Sequence, residues 1–181
     1  MINDIPFSVL SASILAACAP LVIIALGEMI TEKSGVINLS LDGTVLFSAM
    51  VAFVAAKESG SLLLGFMAGG CAGMVTGLVV GYFSIYLHLS QVAVGFALSL
   101  LCRDLAYFLG NPYSRVPGPT LISSKLPFND MLPDFLQKIT AQPLTVPFAF
   151  ALLALLIWFF KFSRTGLQLR SVGENPAAAF A

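Results

Sequence analysis

The polar residues of this chain that could hold a solute, a cation or a proton fall mostly in one stretch between two apolar runs. It reads Gly27-Glu28-Met29-Ile30-Thr31-Glu32-Lys33-Ser34-Gly35-Val36-Ile37-Asn38-Leu39-Ser40-Leu41-Asp42-Gly43. Asn38, Ser40 and Asp42 offer an amide, a hydroxyl and a carboxylate in alternation with apolar residues. If a helix starts near Val36, Asp42 lies about 9 Å inside it. A charge at that depth in lipid is costly, so it must face protein or water. The pattern then suits an interrupted helix that lines a cavity or forms a hinge, with Asn38, Ser40, Asp42 and Gly43 as its working residues. The alternative is a plain turn, with Asp42 capping a helix that begins at Gly43.

A second polar group closes the chain. Lys161, Arg164 and Arg170 follow the last apolar run, and Asn175-Pro176 precedes three alanines. Asn175 suits an N-cap and Pro176 the first helical position, so a helix is expected to start at Pro176. A third polar group, the adjacent Arg103 and Asp104, sits inside an apolar run. Neighbours on a helix point about 100° apart and do not make one simple pair. Arg103 either snorkels to the membrane surface or pairs structurally, or it lines a polar path.

Other chemistries lack their residues. No Gly-rich phosphate loop ending in Gly-Lys-Ser/Thr, no His-Glu-x-x-His and no Gly-x-Ser-x-Gly occurs, so no catalytic residue is expected. His88 is the only histidine, and Cys18, Cys71 and Cys102 each lie in an apolar run. The cysteines read as small buried hydrophobes, and no metal site is expected.

The elements that must position these groups follow from composition. Of the 181 residues 58% are apolar and only 10% charged, and the mean hydropathy is +0.94. A soluble domain carries about 25% charged residues to cover its surface, whereas a lipid-facing surface needs none. Net charge is zero, which argues against a nucleic-acid partner. The expected class is an all-α membrane protein, a polytopic transmembrane helix bundle of about five spans. The spans are read at 8–26, 36–56, 62–87, 90–109 and 144–160, within one transmembrane domain covering 1–181. The N-terminal run lacks a basic flank and reads as a retained span rather than a signal peptide. Residues 110–143 form a proline-rich loop, in which 129–138 suits a short amphipathic surface helix. The basic 161–181 segment favours the cytoplasmic side, which puts 110–143 and the N-terminus outside.

In the third span Gly65, Gly69, Gly73, Gly77 and Gly81 recur every four residues. They form a bare, slowly winding strip that lets another helix approach closely, either for tight packing or as a sliding face. On either reading Gly73→Leu damages assembly.

Two stretches together resemble a known family. The run from Gly27-Glu28 through Glu32-Lys33-Ser34-Gly35-Val36-Ile37-Asn38 to Asp42-Gly43 resembles the "G-E…E-R-S-G-V-x-N-L-G-x-E-G" signature of nucleoside and simple-sugar permeases. These belong to the ABC importer group that also serves branched-chain amino acids. The tail Gly166-Leu167 through Leu169-Arg170-Ser171-Val172-Gly173-Glu174-Asn175-Pro176 resembles their cytoplasmic "G-L-x-L-R-A-V-G-E-N-P" loop. The sequence departs from the pattern at Asp42, where Glu is usual, and at Ser40, where Gly is usual.

The resemblance implies a coupling region that docks on a cytoplasmic ABC ATPase, made of Arg164, Gly166, Arg170, Gly173, Glu174, Asn175 and Pro176. It implies a second permease subunit, an extracytoplasmic solute-binding protein and a lipid-embedded location in a bacterial inner membrane. No cofactor is implied, since ATP is bound by the partner. Family members continue through further spans, so the chain reads as a C-terminally truncated fragment. The leading expectation is a permease that moves a nucleoside- or sugar-like solute. An ion-coupled secondary carrier using Asp42 and a non-transporting scaffold are the alternatives.

Overall fold

The structure is a computed structural model that describes residues 7–118, 123–124, 142–143, 145–175 and 179. Its contacts divide the chain into two compact units, Met1–Gly35 with Leu121–Ala181, and Val36–Thr120. The expected surface helix at 129–138 lies outside the described residues.

The first unit is built on α1 (Phe7–Lys33), α5 (Thr145–Phe162) and α6 (Arg164–Glu174). Two-residue strands β1 (Ser123–Ser124) and β2 (Gln142–Pro143) pair antiparallel within it. The helix α1 has 27 residues, about 40 Å of rise, so its polar end extends past a hydrocarbon core of about 30 Å. The sequence reading ends this span at residue 26, but the helix continues to Lys33. The reason is a continuous apolar edge. Leu26, Met29 and Ile30 pack with Leu156 and Phe160 of α5 and Leu169 of α6, at the spacing that places residues on one helical face. Higher up, Ala19 packs against Val146 and Ala149. Pro20 lies inside α1 and donates no backbone bond, which spanning helices tolerate.

The second unit holds α2 (Leu41–Ser59), α3 (Leu62–Ile85) and α4 (Gln91–Gly110), then a 3-10 turn at Asn111–Tyr113. Gly60 at φ 66° reverses the chain between α2 and α3, a conformation that favours glycine. His88 takes φ 51° in the turn between α3 and α4, which ends α3 at Ile85 rather than at residue 87. That turn role accounts for the lone histidine. The start of the long loop is tied back to α2: Lys57 Nζ donates to the Pro117 carbonyl at 3.1 Å, and the Tyr113 hydroxyl donates to Glu58 Oε1 at 3.0 Å.

Among the described residues four helices are long and apolar enough to cross a membrane, namely α1, α3, α4 with its 3-10 extension, and α5. The chain is thus a multi-pass, all-α membrane protein. The count of five adds α2, whose charges Asp42, Lys57 and Glu58 stand at its two ends.

Candidate functional site

The polar turn before α2 is held by backbone approach. The helix begins at Leu41, not near Val36, so Asp42 stands in the first turn and is exposed. The expectation of a carboxylate buried well inside a broken helix is therefore corrected. Chain from Ser34 to Ser40 is non-helical. Ser40, 3% exposed, donates both its N–H (3.1 Å) and its hydroxyl (2.7 Å) to Asn38 Oδ1, an Asx-type turn that satisfies both side chains. Its carbonyl accepts from Thr44 N–H at 2.9 Å and opens the helix. Ser40 in place of the usual Gly is thus accommodated by a local hydrogen bond.

Helix α4 closes on this turn. Gly43 N–H donates to Ser99 Oγ at 3.1 Å, and Ile37 N–H to Gln91 Oε1 at 3.2 Å. A Cβ on Gly43 would collide with the Ser99 carbonyl, and one on Gly95 would stand 3.1 Å from Leu39 N. The residues Gln91, Gly95 and Ser99 escaped the sequence reading, although their i, i+4, i+8 spacing marks one face of α4. Thr44 Oγ1 and Ser48 Oγ are buried on α2 without a hydrogen-bond partner. Together with Ser40 they form a polar line at four-residue steps that the apolar surroundings hid.

The glycine strip splits in two. Gly65 and Gly69 are buried, and a Cβ on either would press into Ala56 and Ala52 of α2, at 2.6 and 2.8 Å from their Cβ atoms. Gly73 lies beside Ser48 Oγ, 3.4 Å from where its Cβ would be, while Gly77 and Gly81 have nothing within 4 Å. Among the described residues the strip is packed only over its first half. Four residues turn a helix about 400°, so the strip drifts about 40° per step. The buried positions on α3 are Gly65, Gly69, Thr76 and Val80, two pairs spaced by an 11-residue repeat, which drifts only about 20° around the helix.

Arg103 and Asp104 do contact each other, with Nε to Oδ1 at 3.6 Å and side chains 44% and 73% exposed. The long arginine stem overcomes the angular offset, but so open a pair contributes little. Cys102 is buried, whereas Cys18 and Cys71 are exposed rather than buried as expected. Among the described residues no cluster of His, Cys, Asp or Glu could hold a metal ion.

In the first unit, Ser163 in extended conformation separates α5 from α6. The turn is tight because Gly166 lies on the Phe159 backbone, with its missing Cβ 3.1 Å from the Phe160 Cα. Helix α6 is amphipathic: Gly166 and Leu169 face inward, and Arg164, Leu167, Gln168, Ser171 and Glu174 are exposed. Arg170 Nη2 lies 3.6 Å from Glu174 Oε1, and Arg170 Nε is buried without a hydrogen-bond partner. The sequence reading starts a helix only at Pro176. The structure adds α6 before it and ends it at Glu174, with Asn175 extended at φ −154°. The Asn175 carbonyl accepts from Ala179 N–H at 3.0 Å, the bond an N-cap residue makes; Pro176 itself lies outside the described residues.

Residues 10–181 match the family described as branched-chain amino acid transport system / permease component. The chain belongs to this family. As a member of a permease-component family it is not an enzyme. It is 32% identical to a putative glucose ABC transporter permease protein of Haloferax volcanii, over 94% of this chain and 53% of that protein. A guanosine ABC transporter permease protein of Bacillus subtilis is 29% identical, over 95% of this chain and 58% of its own length. A nucleoside ABC transporter permease protein of Lactococcus lactis is 27% identical, over 94% and 57%. The chain thus spans little more than half the length of these curated relatives. No solved structure matches it.

Proposed function

We propose that this permease-family chain works within the membrane-spanning subunit of an ABC importer and helps move a nucleoside- or sugar-like solute across the inner membrane. The observation that carries the reading is α6: a short amphipathic helix with one face packed on α1 and α5 and a polar face left open. Such a face suits docking to a cytoplasmic ATPase. The printed functions of the glucose, guanosine and nucleoside relatives support the solute class.

In this reading Arg164, Gly166, Arg170, Gly173, Glu174, Asn175 and Pro176 form the coupling region, and the C-terminal segment is cytoplasmic. Helix α2 is counted as the fifth span, which places the N-terminus and the 110–143 loop outside. A second permease subunit completes the path, and an extracytoplasmic binding protein delivers solute. Asn38, Ser40, Asp42 and Gly43 act as a hinge where the chain enters α2, because Asn38, Ser40 and Gly43 are engaged by the turn and α4. Exposed Asp42 gives little support to the ion-coupled alternative, which needs a shielded carboxylate.

The test is solute uptake into proteoliposomes carrying the full permease and its ATPase. Uptake should require ATP, persist in Asp42→Asn, and vanish when the ATPase phosphate-loop lysine is replaced. Uptake that ignores ATP and fails in Asp42→Asn would instead support the secondary carrier. Glu174→Lys should cut ATPase co-purification about tenfold while leaving membrane insertion intact.

A further inference from the structure

The two stretches that carry the family resemblance lie far apart in sequence, yet they touch in the first unit. The chain leaves α1 through Ser34 and Gly35, with Ser34 N–H donating to the Ile30 and Thr31 carbonyls at 3.2 and 3.1 Å and Gly35 N–H to the Glu32 carbonyl at 3.0 Å. Gly35 has φ +79°, where a side chain is strained, and its missing Cβ would lie 3.2 Å from Gly173 Cα. From the other side, a Cβ on Gly173 would collide with the Lys33 carbonyl and stand 3.0 Å from Gly35 N. Backbone thus meets backbone, with no side chain between to absorb a displacement.

The opposite end of α6 is fixed in the same manner, Gly166 lying on the Phe159–Phe160 backbone of α5. Between these ends Leu169 is seated among Leu26, Leu156 and Phe160. A helix of 11 residues held at both ends by backbone contact has no soft element along its length. A close-packed contact transmits displacement instead of deforming.

We infer that Gly35 and Gly173 are positioning residues that pass a push on α6 directly to the end of α1. The inference rests on the importer reading. It adds that the coupling segment acts through the turn at Ser34–Gly35, and so on the chain that leads covalently into the polar turn at Asn38–Gly43. It also gives both glycines a physical reason: a methyl group on Gly173 would need the volume held by the Lys33 carbonyl, and one on Gly35 would press on Gly173 Cα.

The test uses the assembled importer in proteoliposomes, reading ATPase co-purification, basal ATP hydrolysis and ATP-driven solute uptake. Gly173→Ala should lower ATP-driven uptake about tenfold or more, a loss well beyond any fall in ATPase co-purification. Alanine is the better helix former, so the loss cannot come from lower helix propensity in α6. Gly27→Ala adds the same methyl on α1 where nothing lies within 4 Å, and should leave uptake within about twofold. Wild-type uptake in Gly173→Ala overturns the inference alone. Wild-type uptake that does not need ATP overturns the importer reading and the inference with it. Should Gly173→Ala fail to insert, spin labels on exposed Lys33 and Ser171 of an otherwise cysteine-free chain decide the matter. Their separation should be the same in nucleotide-free and ATP-trapped states, and a change between states overturns the inference.

Discussion

The seam between α2 and α3 and the seam between α1 and α5 solve the same problem with opposite residues. Along α2 and α3 the contact is made by Gly65, Gly69, Ala52 and Ala56, where main chain nears main chain. Along α1 and α5 it is made by Leu26, Leu156 and Phe160, with Ala19, Val146 and Ala149 above them. In lipid the hydrophobic effect gives helices no reason to associate, so both seams depend on close contact. The first reaches it by removing side chains, the second by interlocking them. A seam of the first kind therefore fails when volume is added, and one of the second kind when volume is removed.

The sharpest break should be Gly69→Leu. Its side chain must enter space held by the Ala52 Cβ and the Ser48 carbonyl, and overpacking of this kind costs about 3 kcal/mol. Unfolding in a detergent titration measures the loss. Gly73→Leu should be milder, because its nearest neighbour is the Ser48 hydroxyl and not backbone. In the other seam the reverse change is the damaging one. Phe160→Ala should cost about 2 kcal/mol through lost packing contacts, read by the same titration.

Smaller effects sharpen the comparison. Ser99→Ala removes the acceptor for Gly43 N–H, and interhelical hydrogen bonds in membranes average about 0.6 kcal/mol. Gly77→Ala should leave stability unchanged or raise it by up to about 1 kcal/mol, since nothing lies within 4 Å of the added methyl. A large loss at Gly77 in the chain by itself would sink the division of the strip into a packed and an open half.

Much of this was legible in the residues. Few charges and long apolar runs force helices, because backbone polar groups in lipid must be satisfied within their own segment. The tail and the polar turn stood out because glycine, asparagine and charge are rare between such runs. Less legible was where each helix stops. The polar look of Gly27–Lys33 suggests a break, yet Leu26, Met29 and Ile30 keep α1 helical because α5 and α6 reward that face. Likewise α6 has a mixed sequence whose inward side shows only once its partners are in place.

The sequence by itself determined the class of the molecule, the family it belongs to and the residues with polar atoms to offer, since each follows from composition or local pattern. Tertiary structure alone decided which glycines are packed, that Ser40 is consumed by Asn38, that Asp42 stands exposed, and that Gly35 meets Gly173. Those facts depend on the direction in which one helix presents its face to another. A strip that drifts about 40° per step can point at a neighbour over two turns and away from it over the next two.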